Sequence, residues 1–300
     1  MSEASVLLVP GYLGTRLRHR PSGRLVWGTL RSLFRTTPDE LAGDCEIAGP
    51  VDAITVIPRV WTYTIYGRFR RAFSARLTVF EYDWRRSHAD TGRELAHFLG
   101  RFDRPVHAVA HSTGGYVLDW CLRYGGAQPR QFASITWVGV PWEGTVAAAH
   151  DMTVGWRAAP FGRRFPPDMV RRFPSVHEAL PAWTGAWRRG DGSAVDRDPF
   201  DGCAEARAVR EALAKPPHWP PVPQHLLVGE RIRTRDAVCV TEKGFAFDRF
   251  WGPGDGTVPL QSALPPARPI PAQVTVHRVH GRHRYLLSRP DVIRLIRSWC

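Results

Sequence analysis

Three residues that together can split an acyl bond occur in one order along the 300-residue chain. The first is Ser112, in Val106-His107-Ala108-Val109-Ala110-His111-Ser112-Thr113-Gly114-Gly115. An apolar, β-branched run ends at the serine, and an amphipathic segment from Tyr116 to Tyr124 comes next at helical spacing. Ala110 and Gly114 supply the small flanks that so tight a strand-to-helix turn demands, so the stretch reads as a nucleophile elbow. A serine held there stands at the carboxyl end of a strand, under the positive pole of the next helix. The second residue is Asp255, in the turn Gly254-Asp255-Gly256-Thr257-Val258, where a carboxylate can orient a histidine and stabilise the imidazolium. The third is a histidine near the C-terminus. His277 falls inside a strand with its side chain on the face opposite His280, and His280 sits at the strand's end. His283 lies on the loop beyond, after Gly281, with Leu286 and Leu287 to anchor the chain after it. Ser288 and Asp291 have capping-box spacing for a terminal helix. His283 is favoured as general base and acid, and His280 is the alternative. Upstream, Val9-Pro10-Gly11-Tyr12-Leu13-Gly14 can turn backbone amides toward a common point, so the amides of Tyr12 and Thr113 are the expected oxyanion donors.

Each signal has a bland counterpart when taken alone. A-x-S-x-G arises by chance, Pro-Gly marks ordinary turns, and so does Asp-Gly. The conjunction carries the weight: a glycine loop, then serine, aspartate and histidine, each at an expected strand end.

The elements that must hold these residues alternate along the chain. Val6 to Val9 reads as a buried strand, Tyr66 to Phe73 as a helix, Leu77 to Tyr82 as a strand, and a helix carrying Leu95, Phe98 and Leu99 leads to the elbow. Ile135 to Val140, His225 to Gly229 and Val274 to His280 read as further strands, and Asp291 to Trp299 as a last helix. Arg20 to Trp27 reads as a turn leading into an extended piece, and Pro38 to Pro50 as mostly loop. Such alternation predicts an α/β fold with a mostly parallel sheet and right-handed crossovers. From about Asp151 to Pro223 neither period is sustained, and Trp156, Phe161, Phe165, Phe173, Trp183, Trp187 and Trp219 are interleaved with arginine, proline and glycine. The expected division is therefore residues 1–150 as the first part of the core, 151–223 as an inserted cap, and 224–300 as the second part. Trp142, Trp183 and Trp187 are candidate substrate-lining residues; the plainer expectation is that the cap aromatics are its own small core.

Composition narrows the function classes. With 43% hydrophobic residues the chain can bury one large core, and no apolar run approaches the roughly 18 residues of a membrane span. The strand at Val6 begins so close to Met1 that no leader is expected to precede it. Five scattered cysteines without metal-ligand spacing suggest free thiols in a reducing cytoplasm. No metal and no cofactor are expected. The formal charge of +13 comes from arginines spread along the chain, which reads first as a solvated surface and argues against nucleic acid. The functional alternative is transient contact with an acidic partner, such as phospholipid headgroups or an acyl-carrier protein.

The sequence resembles the lecithin:cholesterol acyltransferase-like group of α/β-hydrolases, which includes lysosomal phospholipase A2 and bacterial relatives. The resemblance rests on Val9-Pro10-Gly11 with Gly14 and Leu17, on Trp27, on Tyr82-Asp83-Trp84-Arg85, and on Ala110 to Gly115. It continues through Val140-Pro141-Trp142 with Gly144, Leu180-Pro181, Gly254 to Val258, and His283 with Leu286-Leu287. It implies an α/β-hydrolase fold and transfer of an acyl group from an ester, often a phospholipid, to an alcohol or water through a serine ester. By position it makes Ser112 the nucleophile, Asp255 the orienting acid and His283 the base. Tyr12 departs from the pattern, standing where some relatives carry an acidic side chain. Two other functions remain open: action on a carrier-bound or soluble acyl thioester, and a catalytically silent fold that binds a ligand or partner.

Overall fold

Six strands, all parallel, form the central sheet: β1 (Val6–Val9), β2 (Leu77–Val79), β3 (Val106–His111), β4 (Phe132–Val138), β5 (Gln224–Glu230) and β6 (Val274–His280). Their spatial order is β2-β1-β3-β4-β5-β6. The computed structural model describes residues 4–57, 61–157, 163–195, 200, 203–266 and 270–300; Phe161 lies outside them. The order reverses between β1 and β3, and a crevice opens beyond the carboxyl ends of strands at such a switch point. The glycine loop after β1 and the serine after β3 both arrive there.

The inner strands β1, β3, β4 and β5 are buried on both faces, which explains their near-continuous apolar runs, whereas the edge strands β2 and β6 are partly exposed. Leu7 and Val9 of β1 and Ala108 and Ala110 of β3 belong to the larger core cluster. Val6, Leu8 and Val109 point the other way, against Phe69, Phe73, Leu286, Val292 and Ile296, as period-two alternation requires. Helix α1 (His88–Leu99) packs against α2 (Gly114–Arg123), and a Cβ at Gly92 would lie 2.8 Å from Trp120 Cβ. That close approach is why a glycine sits mid-helix in α1 at a cost of about 1 kcal/mol relative to alanine.

Among the described residues, two three-stranded and two two-stranded sheets and several short helices lie outside the central sheet. Strands Thr15–His19, Arg24–Trp27 and Cys45–Pro50 pair antiparallel, and a helix spans Pro38–Ala42. The segment expected to be loop between Pro38 and Pro50 is thus ordered. Thr37 and Glu40 form a reciprocal capping box at the start of that helix, a signal present in the sequence. A long hairpin, Ile232–Thr241 with Gly244–Gly254, lies between β5 and the Asp255 turn and adds Trp187–Arg188 as a third strand. Its irregular register between Arg235 and Cys239 breaks the two-residue period that would have revealed it. Among the described residues of 151–223 the longest helix is α3 (Ala204–Leu213). The same region is also tied down by a buried pair: Glu178 Oε2 accepts from the His88 amide at 2.8 Å and lies 2.5 Å from His88 Nδ1. Among the described residues no helix is long and apolar enough to cross a membrane, and all five cysteines are free.

The terminal helix spans Pro290–Arg297, but the capping box expected from Ser288 and Asp291 does not form. The Ser288 hydroxyl donates to the Ile65 carbonyl at 2.8 Å, and Asp291 is held by Arg289. Pro290 at the first helical position removes one of the amides a cap would have served.

Candidate active site

Ser112 comes directly after β3 at φ 57°, a left-handed conformation that non-glycine residues seldom adopt and that a nucleophile elbow imposes. Its amide donates to the Val138 carbonyl at 2.9 Å, which fixes the elbow against β4. The small flank is a steric necessity: a Cβ at Gly114 would lie 2.4 Å from the Val9 carbonyl oxygen and 2.5 Å from that of Pro10.

The structure brings Ser112, Asp255 and His283 together. His283 Nε2 is 2.8 Å from Ser112 Oγ, and His283 Nδ1 is 2.7 Å from Asp255 Oδ2. Asp255 is 1% exposed, and its second oxygen accepts from the amides of Thr257 and Val258 at 3.0 and 2.7 Å. With both oxygens engaged, the carboxylate is oriented before any substrate arrives. His283 opens a short 3-10 turn, His283–Ser288, whose Leu286 and Leu287 are buried, and its amide donates to the Asp255 carbonyl at 2.9 Å. His280 is exposed at the end of β6, and His277 sits elsewhere, 3.3 Å from His225. The arrangement can take a proton from Ser112, hold it on an imidazole paired with a carboxylate, and return it to a leaving group.

The glycine loop runs directly against the serine, since a Cβ at Gly11 would fall 2.6 Å from Ser112 Cβ. Three side chains from two segments pin the loop's carbonyls: Tyr82 Oη donates to Pro10 O at 2.6 Å, Trp27 Nε1 to Leu13 O at 2.9 Å, and Trp84 Nε1 to Thr15 O at 3.0 Å. Arg85 pairs with Asp83 and also donates to the carbonyls of Leu41 and Gly43. Tyr82-Asp83-Trp84-Arg85 is therefore a clamp on the loop and the elements around it. Of the two expected oxyanion donors, the Thr113 amide makes no hydrogen bond among the described residues. The Tyr12 amide, by contrast, donates to Thr113 Oγ1 at 2.9 Å. An oxyanion would have to share or displace that hydroxyl to reach it.

The three tryptophans lie in packed interior. Trp142 is 1% exposed between Trp137 and Trp219, Trp187 packs on Phe200 and Phe245 with its Nε1 on the Pro181 carbonyl, and Trp183 is 7% exposed. The indole nitrogens of Trp142 and Trp183 have no partner among the described residues.

Sequence reasoning missed two glycines that shape the site. A Cβ at Gly139 would lie 3.2 Å from His283 Nδ1, and one at Gly229 would lie 2.5 Å from Asp255 Cβ. Both end apolar strand runs, which is the available signal. Gly229→Ala is expected to push Asp255 aside and lower kcat for ester turnover by about 10²-fold, the scale of an ångström-sized misplacement. Steady-state kinetics with circular dichroism as the folding check would read it.

A parallel sheet of this order, with a serine, histidine and aspartate in contact beyond its strand ends, is the α/β-hydrolase fold. In structure the chain is similar to a chain of the Tle4–Tli4 complex, with a TM-score of 0.64 and 12% identity over 99% of this chain and 98% of that one. It is also similar to the lipase BlEst2 of Bacillus licheniformis in its propeptide form, with a TM-score of 0.50 and 13% identity over 98% of this chain and 50% of that one. At such identities the likeness is one of fold. No protein-family profile matches the chain, and no curated protein matches it in sequence.

Proposed function

We propose that the chain is a serine carboxylic-ester hydrolase or O-acyltransferase acting on lipid-like esters through an acyl-serine intermediate. The observation that carries this reading is the contact series from Ser112 Oγ through His283 to Asp255 Oδ2 at 2.8 and 2.7 Å. As Ser112 Oγ bonds to the substrate carbonyl carbon, its proton passes to His283 Nε2, and Asp255 stabilises the imidazolium through Nδ1. The carbonyl oxygen becomes an oxyanion held by the Thr113 amide, joined by the Tyr12 amide when the Thr113 hydroxyl gives way. Collapse breaks the bond to the alkoxide, which leaves with the proton from His283. In the second half a water or alcohol gives its proton to His283 as it bonds to the acyl carbon, and the acyl–Ser112 bond breaks as His283 Nε2 returns that proton to Ser112 Oγ.

The lipid-like substrate rests on the lecithin:cholesterol acyltransferase-like motifs and on a similar fold in a protein named a lipase. The test is a panel of p-nitrophenyl esters from acetate to palmitate, with and without added alcohol. Higher kcat/KM for medium and long chains than for acetate is expected. Turnover confined to acetate would overturn the lipid part of the reading, and an acyl-alcohol product would separate transfer from hydrolysis.

Trp183 and Trp187 should part company in the same assay. Trp187 is held by a hydrogen bond and two ring contacts, so its replacement by alanine lowers the thermal midpoint and affects all esters alike. Trp183→Ala is expected to reduce kcat/KM for decanoate about 10-fold more than for acetate, because remote binding energy serves only the long chain. Equal losses on both esters would show that Trp183 only holds the cap together.

A further inference from the structure

A second set of hydrogen bonds runs behind the candidate site, from the glycine loop to the histidine turn. The Gly11 amide lies 2.9 Å from Tyr66 Oη, Tyr66 Oη lies 2.9 Å from His111 Nδ1, and His111 Nε2 lies 3.2 Å from the His283 carbonyl oxygen. Tyr66 is 2% exposed and His111 is 4% exposed, so water does not substitute for these partners. We propose that Tyr66 and His111 are positioning residues that lock the glycine loop and the His283 turn into one register around Ser112. The proposal rests on the reading of Ser112 and His283 as nucleophile and base, and it adds two side chains that touch no reacting atom.

The direction of the relay is set by what each group can do. A backbone amide only donates, so the Tyr66 oxygen accepts from Gly11. In a neutral His111 the proton must sit on Nε2 to reach the His283 carbonyl, so Nδ1 is bare and accepts the Tyr66 proton. A carbonyl only accepts, so Nε2–H donates to His283 O. With His111 neutral this arrangement satisfies all three bonds and places every proton, whereas a doubly protonated ring would donate to Tyr66 and leave the tyrosine proton with no acceptor in the series. Burial, with the adjacent His283 as a second cause, holds the His111 pKa down at about 3, in keeping with the neutral ring. The rings of His111 and His283 lie 5.0 Å apart and 29° from parallel. A charged ring at His111 would oppose the imidazolium that His283 forms during turnover, whereas a neutral one steadies the turn without that cost.

The relay joins segments far apart in the chain. Tyr66 precedes the helix Gly67–Ala72, whose entry is tied to Asp52: the amides of Ile65, Tyr66 and Gly67 all donate to its carbonyl at 3.0 to 3.2 Å. The tyrosine ring also bears on the loop itself, since a Cβ at Gly14 would lie 3.1 Å from Tyr66 Cε2. Removing the hydroxyl would keep the ring in place and leave the Gly11 amide and His111 Nδ1 without partners. The loop and the turn could then shift independently, and displacements of an ångström suffice to cost about 10²-fold in rate.

Three variants test this. Tyr66→Phe is expected to lower kcat for p-nitrophenyl butyrate about 10- to 100-fold with KM within about 3-fold, because the misplaced groups act in the transition state. His111→Gln offers an amide oxygen to Tyr66 and an amide N–H to His283 O, so it should keep most of the activity, whereas His111→Leu should lose as much as Tyr66→Phe. Nitrogen-15 spectra of histidine-labelled protein supply a readout independent of turnover: His111 should be the neutral Nε2–H tautomer in the parent, and in Tyr66→Phe its bare Nδ1 should shift downfield as the bond from the Tyr66 hydroxyl is lost while Nε2–H stays on the His283 carbonyl. Folded Tyr66→Phe with parental kcat, equal activity in the Gln and Leu variants, or an Nδ1–H tautomer in the parent would each overturn the relay. If instead the parent and Ser112→Ala both fail to turn over esters, the reading of Ser112 fails, while the tautomer still decides whether the hydrogen-bonded chain exists.

Discussion

Replacing Ser112 with alanine lowers kcat/KM for a short chromogenic ester by about 10⁴-fold or more in the expected result, and leaves the thermal midpoint within about 3 °C. The two halves of that expectation have different causes. In the proposed mechanism all chemistry passes through Ser112 Oγ, which lies 2.8 Å from His283 Nε2, so deleting the oxygen removes the covalent route and not just one contact. The fold loses little because the elbow is set by other atoms. The Ser112 amide still donates to Val138 O, and Gly11 and Gly114 still admit the close passage of the loop. The left-handed backbone at φ 57° is no worse for alanine than for serine. A large fall in the thermal midpoint would mean that the serine is structural.

The second large effect discriminates between histidines. His283→Ala is expected to lower kcat by about 10⁴-fold, and His280→Ala to leave it within about 2-fold. His283 reaches both Ser112 and Asp255, whereas His280 is exposed at the end of β6. Measuring kcat for both variants, with circular dichroism to confirm folding, checks the assignment. An inactive His280→Ala beside an active His283→Ala would move the base to the strand's end and leave the 2.7 Å contact with Asp255 without a function.

What could be read from the sequence was whatever local sterics impose. Ala110 and Gly114 flank a turn that excludes larger residues, so the elbow was visible, and the strand Val274–His280 was visible because its run ends in Gly281 before His283. The clamp Tyr82-Asp83-Trp84-Arg85 was visible as residues but not as a purpose. Its partners are carbonyls of Pro10 and Thr15, some 70 positions away in the chain. The same distance problem hid the fate of Ser288. Spacing to Asp291 predicted a cap, yet the hydroxyl found Ile65 O, 223 positions away, and a tertiary bond outcompeted the local one. Tyr12 shows a subtler limit. That its amide lies in the loop was legible, but that the Thr113 hydroxyl takes it was not, since both residues depend on how β1 and β3 bring their ends together. Tyr66 left no trace in the sequence pattern, because a lone tyrosine before a short helix is ordinary until Gly11 and His111 are seen on either side of its hydroxyl.

The proposed mechanism stands on Ser112 being an activated nucleophile. Treating the folded protein with a fluorophosphonate and locating the adduct by peptide mass mapping tests it most directly. A single stoichiometric adduct on Ser112, abolished in Ser112→Ala and in His283→Ala, is the expected result. No adduct on folded protein, or an adduct on another residue with Ser112 untouched, would contradict it.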